Sequence, residues 1–233
     1  MTACVYLRYG SEVLVLDAGS GFARLLTEPE LLEGVERLSV VLTHFHLDHT
    51  NGLVALPGLS RVPVREVWAP GLLVAGMPAA ELVRRLLGPP FLAGTVDDVE
   101  TKMATRIHEL IGDVQIGSFS LRTRLQPHHV GPTVALRVDD ELAYCTDTAY
   151  DEANVAFARG VRVLLHEAFH AADKTDHPAH SAAGEAARIA RAAAVERLVL
   201  VHLNPLLEDE EELLRFATVV FPASEVGRDG PLT

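Results

Sequence analysis

Cysteine is nearly missing. Cys4 and Cys145 are the only two in 233 residues, so a disulfide framework is excluded as the source of stability. Each is expected to be a small buried apolar side chain in a strand, not a ligand or nucleophile. No apolar run approaches the roughly 18–20 residues that span a bilayer. The opening Met1-Thr2-Ala3-Cys4-Val5-Tyr6 has no basic segment leading into an apolar one. Neither a membrane partner nor a signal peptide is expected, and the cytoplasm is the expected location. Basic residues are also scarce, with 20 Lys and Arg against 32 Asp and Glu and a net charge of −12. Such a chain repels polyanions, which disfavours non-specific nucleic-acid binding, although a bound dication reverses the potential locally. What is present is apolar material, 48% of residues, enough for a packed core. No repeat or low-complexity linker interrupts it, and one domain over residues 1–233 is expected.

Along the chain, Ala3–Leu7 and Val13–Leu16 read as two strands around a tight turn at Tyr9-Gly10-Ser11-Glu12,. Residues 22–37 read as a helical stretch and a turn. Ser39–Leu42 is a near-continuous apolar run, expected of a strand buried on both faces,. Glu66–Trp68 reads as another buried strand, and Pro78–Leu87 as a helix stopped by Gly88-Pro89-Pro90,. Residues 91–112 carry no clear pattern. Ser118–Leu125, Thr133–Val138 and Leu142–Cys145 form a meander, with a turn at Asp139-Asp140-Glu141,. Val161–Leu165 and Leu198–Val201 read as strands, Ser181–Ala194 as an alanine-rich helix with Ser181 as N-cap, and Glu208–Ala217 as a last helix,.

The strongest signal follows the Ser39–Leu42 run. His44-x-His46-x-Asp48-His49 places four candidate metal ligands within six positions. An extended backbone sends His44 and His46 to one side, whereas Asp48 and His49 diverge unless the chain turns, as Asn51-Gly52 allows. This spacing suits two neighbouring metals. A solvated polar loop has no reason to follow a buried strand with such spacing. A hydrolytic zinc site takes about three protein ligands and keeps a position for water, so further ligands must come from elsewhere. Three strand ends offer them: His128-His129 before Thr133–Val138, Asp147 after Leu142–Cys145, and His202 after Leu198–Val201. The residues alone leave His128 and His129 both open.

Asp17-Ala18-Gly19-Ser20-Gly21, the His44–His49 segment, His129, Asp147 and His202 stand in the order of the five motifs of the metallo-β-lactamase superfamily, which the chain resembles from Asp17 to His202. The resemblance implies a four-layer αββα sandwich with two divalent metals, Zn²⁺ as the expected ion and Mn²⁺ as the alternative. It implies that His44, His46 and His129 hold one metal, Asp48, His49 and His202 the other, and that Asp147 bridges both. It makes Asp17 a brace for the ligand loop and His128 a near neighbour. The β-lactamases proper carry a cysteine at the Asp147 position, so antibiotic hydrolysis is not expected.

Between Asp147 and His202 lie His166-Glu167-Ala168 and His180-Ser181. These resemble segments of ribonuclease Z and its phosphodiesterase relatives. The resemblance implies metal-dependent phosphodiester hydrolysis by activated hydroxide, with Asp48, His180 and Glu167 as the catalytic group. By that resemblance His180 is expected to protonate the leaving oxygen, with Glu167 or His166 expected to orient it. Two departures bear on substrate. The chain reaches Ala3–Leu7 without the strand and Gly-rich loop that usually come first in that family. The region 71–113 is modest and weakly basic where the transfer-RNA enzymes carry a gripping arm. A small phosphodiester is therefore expected as readily as RNA. A homodimer is implied by the family alone. The same ligand set also serves hydrolysis of a carboxylic ester, thioester or lactone, which would not need His180. His108, His170 and His177 receive no role.

Overall fold

The computed structural model describes residues 2–92, 101, 104–128 and 131–230. The chain forms two compact units, Met1–Phe119 and Ser120–Thr233.

The first unit is built on a five-stranded sheet of β1 (Val5–Tyr9), β2 (Glu12–Leu16), β3 (Arg37–Val41), β4 (Val64–Ala69) and β5 (Thr105–Glu109), in that spatial order. β1 and β2 form the expected hairpin, with Gly10 at φ +59°, a conformation that favours glycine at this turn,. β2 to β5 run parallel, with Leu16 opposite Val41 and Val41 opposite Trp68. Their carboxyl ends therefore share one edge. Residues 22–37 are less regular than the sequence implied: 3₁₀ turns at Ser20–Ala23 and Pro29–Leu32 flank a single α-turn, Arg24–Thr27. Pro29 opens the second of these and cannot continue a helix,. Phe22, Leu25, Leu38, Val40, Leu53, Leu56, Leu59 and Val67 form one buried cluster. Each such side chain contributes roughly 1.5–3 kcal/mol of apolar transfer.

The second sheet has the order β12 (Ser224–Val226), β11 (Arg197–Val201), β10 (Val163–Glu167), β9 (Leu142–Cys145), β8 (Thr133–Val138), β7 (Phe119–Gln126), β6 (Val114–Ile116). β7, β8 and β9 are antiparallel neighbours, as the meander reading expects, whereas β9 to β12 run parallel. The helix Ala183–Ala193 buries eight of its eleven residues, among them Ala183, Ala186, Ala187 and Ala190. That i, i+3, i+4, i+7 spacing is a core-facing stripe, and it joins Leu164, Leu198 and Leu200 in the unit's core. The helix starts two residues later than expected and Ser181 does not cap it. Its hydroxyl donates instead to Thr148 O at 2.8 Å, and the Glu185 carboxylate takes the Ala182 N–H at 2.8 Å. A last helix, Glu210–Val220, is capped by Asp209, which accepts from the backbone of Glu211 and Glu212. Among the described residues no helix is long and apolar enough to cross a membrane.

Candidate metal centre

In the first unit the motif residues collect at the carboxyl edge of the parallel strands. Asp17 follows β2 and Thr43 follows β3. Asp17 is fully buried and adopts φ +58°, a left-handed conformation that non-glycine residues enter only where the surroundings hold them. What holds it is visible: its N–H donates to Val41 O at 2.8 Å, while one carboxylate oxygen accepts the Thr43 N–H at 2.8 Å. The other oxygen lies 2.7 Å from His49 Nδ1. The Thr43 hydroxyl, donating to Asp17, lies 2.9 Å from His44 Nδ1. These partners fix the tautomers. A carboxylate accepts, so His49 carries its hydrogen on Nδ1. A hydroxyl already donating can only accept from His44 Nδ1. Both rings then present Nε2 as a lone pair.

The His44 ring centroid lies 4.4 Å from that of His46 and 4.3 Å from that of His49. Asp48 Oδ2 is 3.3 Å from His49 Nε2, and its side chain is 45% exposed while that of His49 is buried. Leu47–Thr50 forms one helical turn, and within it the Asp48 and His49 side chains converge to that separation. Gly52 permits the close packing beneath it, since a Cβ there would meet Gly19 O at 2.2 Å. Three imidazoles and a carboxylate packed this tightly are a donor set suited to a dication.

In the second unit the candidates again leave adjacent parallel strands at one edge. Cys145 pairs with His166, and Glu167 with Val201, so Asp147, Glu167 and His202 stand at neighbouring strand tips. Asp147 and His202 both adopt left-handed backbone, φ +47° and +49°. Asp147 is held by Thr146 Oγ1, which donates to its Oδ2 at 2.8 Å, and by Thr133 Oγ1, which donates to its carbonyl at 3.0 Å. His202 Nε2 lies 3.3 Å from Asp147 Oδ2. Potential ligand atoms of Glu167, His180 and His202 lie within 4.8 Å of one another, as do those of His128, Asp147 and His180. His129 lies outside the described residues.

Glu167 is fully buried. One of its oxygens accepts the Thr148 N–H at 2.5 Å and the other lies 2.8 Å from His180 Nδ1. The carboxylate therefore fixes the hydrogen on Nδ1 and turns Nε2 outward. The His180 ring stacks on Phe169, 4.3 Å between centroids at 15°. Of the two residues that sequence offered as orienting His180, the structure gives the contact to Glu167. His166 instead points Nδ1 at Glu167 O, 2.8 Å away, from a fully buried position. Burial holds its imidazole below the ordinary value,. His108 stacks on Trp68 at 4.1 Å and takes no part. Sequence reading missed the strand-end threonines Thr43, Thr133, Thr146 and Thr148. Their signal was a hydroxyl adjoining a ligand motif at a strand tip.

The β-lactamase superfamily domain family matches residues 13–203, and the chain belongs to it. A ribonuclease Z of Synechococcus sp. (strain WH7803) is 27% identical, covering 94% of this chain and 85% of that protein. A ribonuclease Z of Methanothermobacter thermautotrophicus is 38% identical, but over only 38% of this chain and 30% of its own length. The metallo-β-lactamase fold protein YhfI from Bacillus subtilis superposes with a TM-score of 0.76 at 21% identity, covering 98% of this chain and 90% of that one. The mixed α/β fold with two sheets is the metallo-β-lactamase fold, in its ribonuclease Z-like branch.

Proposed function

We propose that the chain is a metal-dependent phosphodiesterase of the ribonuclease Z type. His44, His46 and His129 hold one dication, Asp48, His49 and His202 a second, and Asp147 serves both. Zn²⁺ is the proposed ion and Mn²⁺ the alternative, in a single cytoplasmic domain that pairs as a homodimer. The tautomers set by Asp17 and Thr43 support the ligand assignment on the first unit, and the Thr146 and Thr133 bonds to Asp147 support it on the second.

Bound dications would neutralise charge building on the phosphoryl oxygens and acidify a water near neutral pH. The chain's own residues do the rest. Asp17, directly and through Thr43, keeps the His44 and His49 Nε2 lone pairs turned away from itself. Asp48, with its carboxylate partly open to solvent, takes up the proton of the attacking water. Glu167 holds the His180 ring so that Nε2 delivers a proton to the departing oxygen.

The observation that carries this reading is the Glu167–His180 hydrogen bond at 2.8 Å from a fully buried carboxylate. Such a bond makes sense where a poor alkoxide leaving group must be protonated. The chain's net charge of −12 favours a small phosphodiester over a long RNA as the substrate. The test is hydrolysis of bis-p-nitrophenyl phosphate by protein loaded with Zn²⁺ or Mn²⁺. Turnover is expected. No turnover with either metal, beside clear turnover of a thioester or lactone, would replace this reading with an acyl hydrolase.

A further inference from the structure

Four other imidazoles or aromatic rings crowd His180, and one of them is tied to its backbone. His177 Nδ1 accepts the N–H of Ala179 at 3.3 Å and the N–H of His180 itself at 3.2 Å. A nitrogen that accepts two N–H groups carries no hydrogen, so His177 is held as the Nε2–H tautomer. Its ring also lies 5.3 Å from the His180 ring at 23° and 5.0 Å from that of His170.

The segment bearing these residues is an excursion between two pinned stretches. At its base His170 bridges to Ala182, and the Ala183 N–H donates to His170 O at 3.0 Å. On its outer side Arg188 grips Asp173 through Oδ1 and the carbonyl, both at 2.6 Å, and Thr175 Oγ1 accepts the His177 N–H at 3.2 Å. Pro178, inside the turn, has no N–H to give. The turn that ends on His180 is therefore closed by a side chain, and that side chain is His177. It closes the turn as an Asn or Asp does in an Asx-turn.

We propose that His177 is a positioning residue for His180. By accepting both N–H groups it sets the backbone from which the His180 ring reaches Glu167. It acts without touching substrate. This rests on the reading of His180 as proton donor given above.

The test compares His177→Ala, His177→Phe and His177→Asn in the metal-loaded, full-length protein. Asn places Oδ1 where His places Nδ1, so it keeps the acceptor and discards the ring. Phe keeps a ring and discards the acceptor. The first readout is the downfield proton resonance of the His180 Nδ1–H···Glu167 bond, identified by its loss in His180→Ala. It is expected to persist in His177→Asn and to vanish or broaden in His177→Ala and His177→Phe. The second readout is kcat on thymidylyl-thymidine, whose leaving group is a sugar alkoxide, relative to kcat on bis-p-nitrophenyl phosphate, whose leaving group needs little protonation. That ratio should fall about tenfold in the Ala and Phe variants, in line with two modest hydrogen bonds, with KM unchanged and recovery in Asn. An unchanged resonance in His177→Ala, or equal losses in Asn and Ala, would overturn the proposal. An unchanged leaving-group ratio in His180→Ala would instead overturn the proton-donor reading on which it rests.

Discussion

His180, Cys145 and His166 each show how a single side chain is set by its surroundings. His180 owes its orientation to a buried carboxylate, so removing the ring should cost most where the leaving group most needs a proton. His180→Ala is expected to lower kcat on an alkoxide-leaving diester by about 10²–10⁴, and a loss below tenfold would contradict the assignment. Cys145 is fully buried in β9, and burial pushes its thiol up to about 12. It is expected to stay unmodified by a thiol-specific disulfide reagent at pH 8 until the protein unfolds, so modification of native protein at Cys145 would contradict its burial. This matches the expectation of a small apolar strand residue. Cys4 sits just before β1 and is only partly covered, although burial raises its thiol too. His166 is held neutral by burial, below the ordinary 6.5. The unfolded chain therefore takes up the proton first as pH falls, and the stability His166 lends is present above about 6.5 and lost below it. Urea unfolding of metal-free protein at pH 7 and pH 5.5 should show a smaller drop for His166→Gln than for the parent. Equal drops would show that His166 is not the group responsible.

Among the elements, legibility followed apolar continuity. β8 and β9 were readable to the residue, because Thr133–Val138 and Leu142–Cys145 are buried throughout and a charged turn separates them. β5, Thr105-Arg106-Ile107-His108-Glu109, was not readable. It is an edge strand with one aliphatic side chain, and edges lack the two-sided burial that writes itself into sequence. β12 is three residues long, too short for any period. The ligand motifs were legible because their residue types are rare together. The left-handed backbone at Asp17, Asp147 and His202 was not, since sequence signals φ > 0 chiefly through glycine. Glycine does mark the contact beneath the ligand turn. Gly52→Ala would drive a Cβ into Gly19 O at 2.2 Å and Phe22 Cβ at 2.7 Å. A loss of about 1–3 kcal/mol in urea unfolding is expected from such overpacking, together with weaker metal retention. Unchanged stability would mean that the two loops do not meet as described.

At the scale of the whole molecule, charge and metal govern what the fold can act on. A small diester carries one charge and an RNA many. Activity on a dinucleotide is therefore expected to change less than about twofold between roughly 50 and 200 mM salt, whereas turnover of a bound polyanion would fall by orders of magnitude. Membership of the β-lactamase superfamily and the likeness to a ribonuclease Z support the proposed reaction class. The decisive measurement is metal content per chain by elemental analysis, before and after Asp147→Ala. Two dications per chain in the parent and one or none in the variant, with nearly all diesterase activity lost, is the predicted result. Full metal content and full activity in Asp147→Ala would contradict a centre that depends on one shared carboxylate.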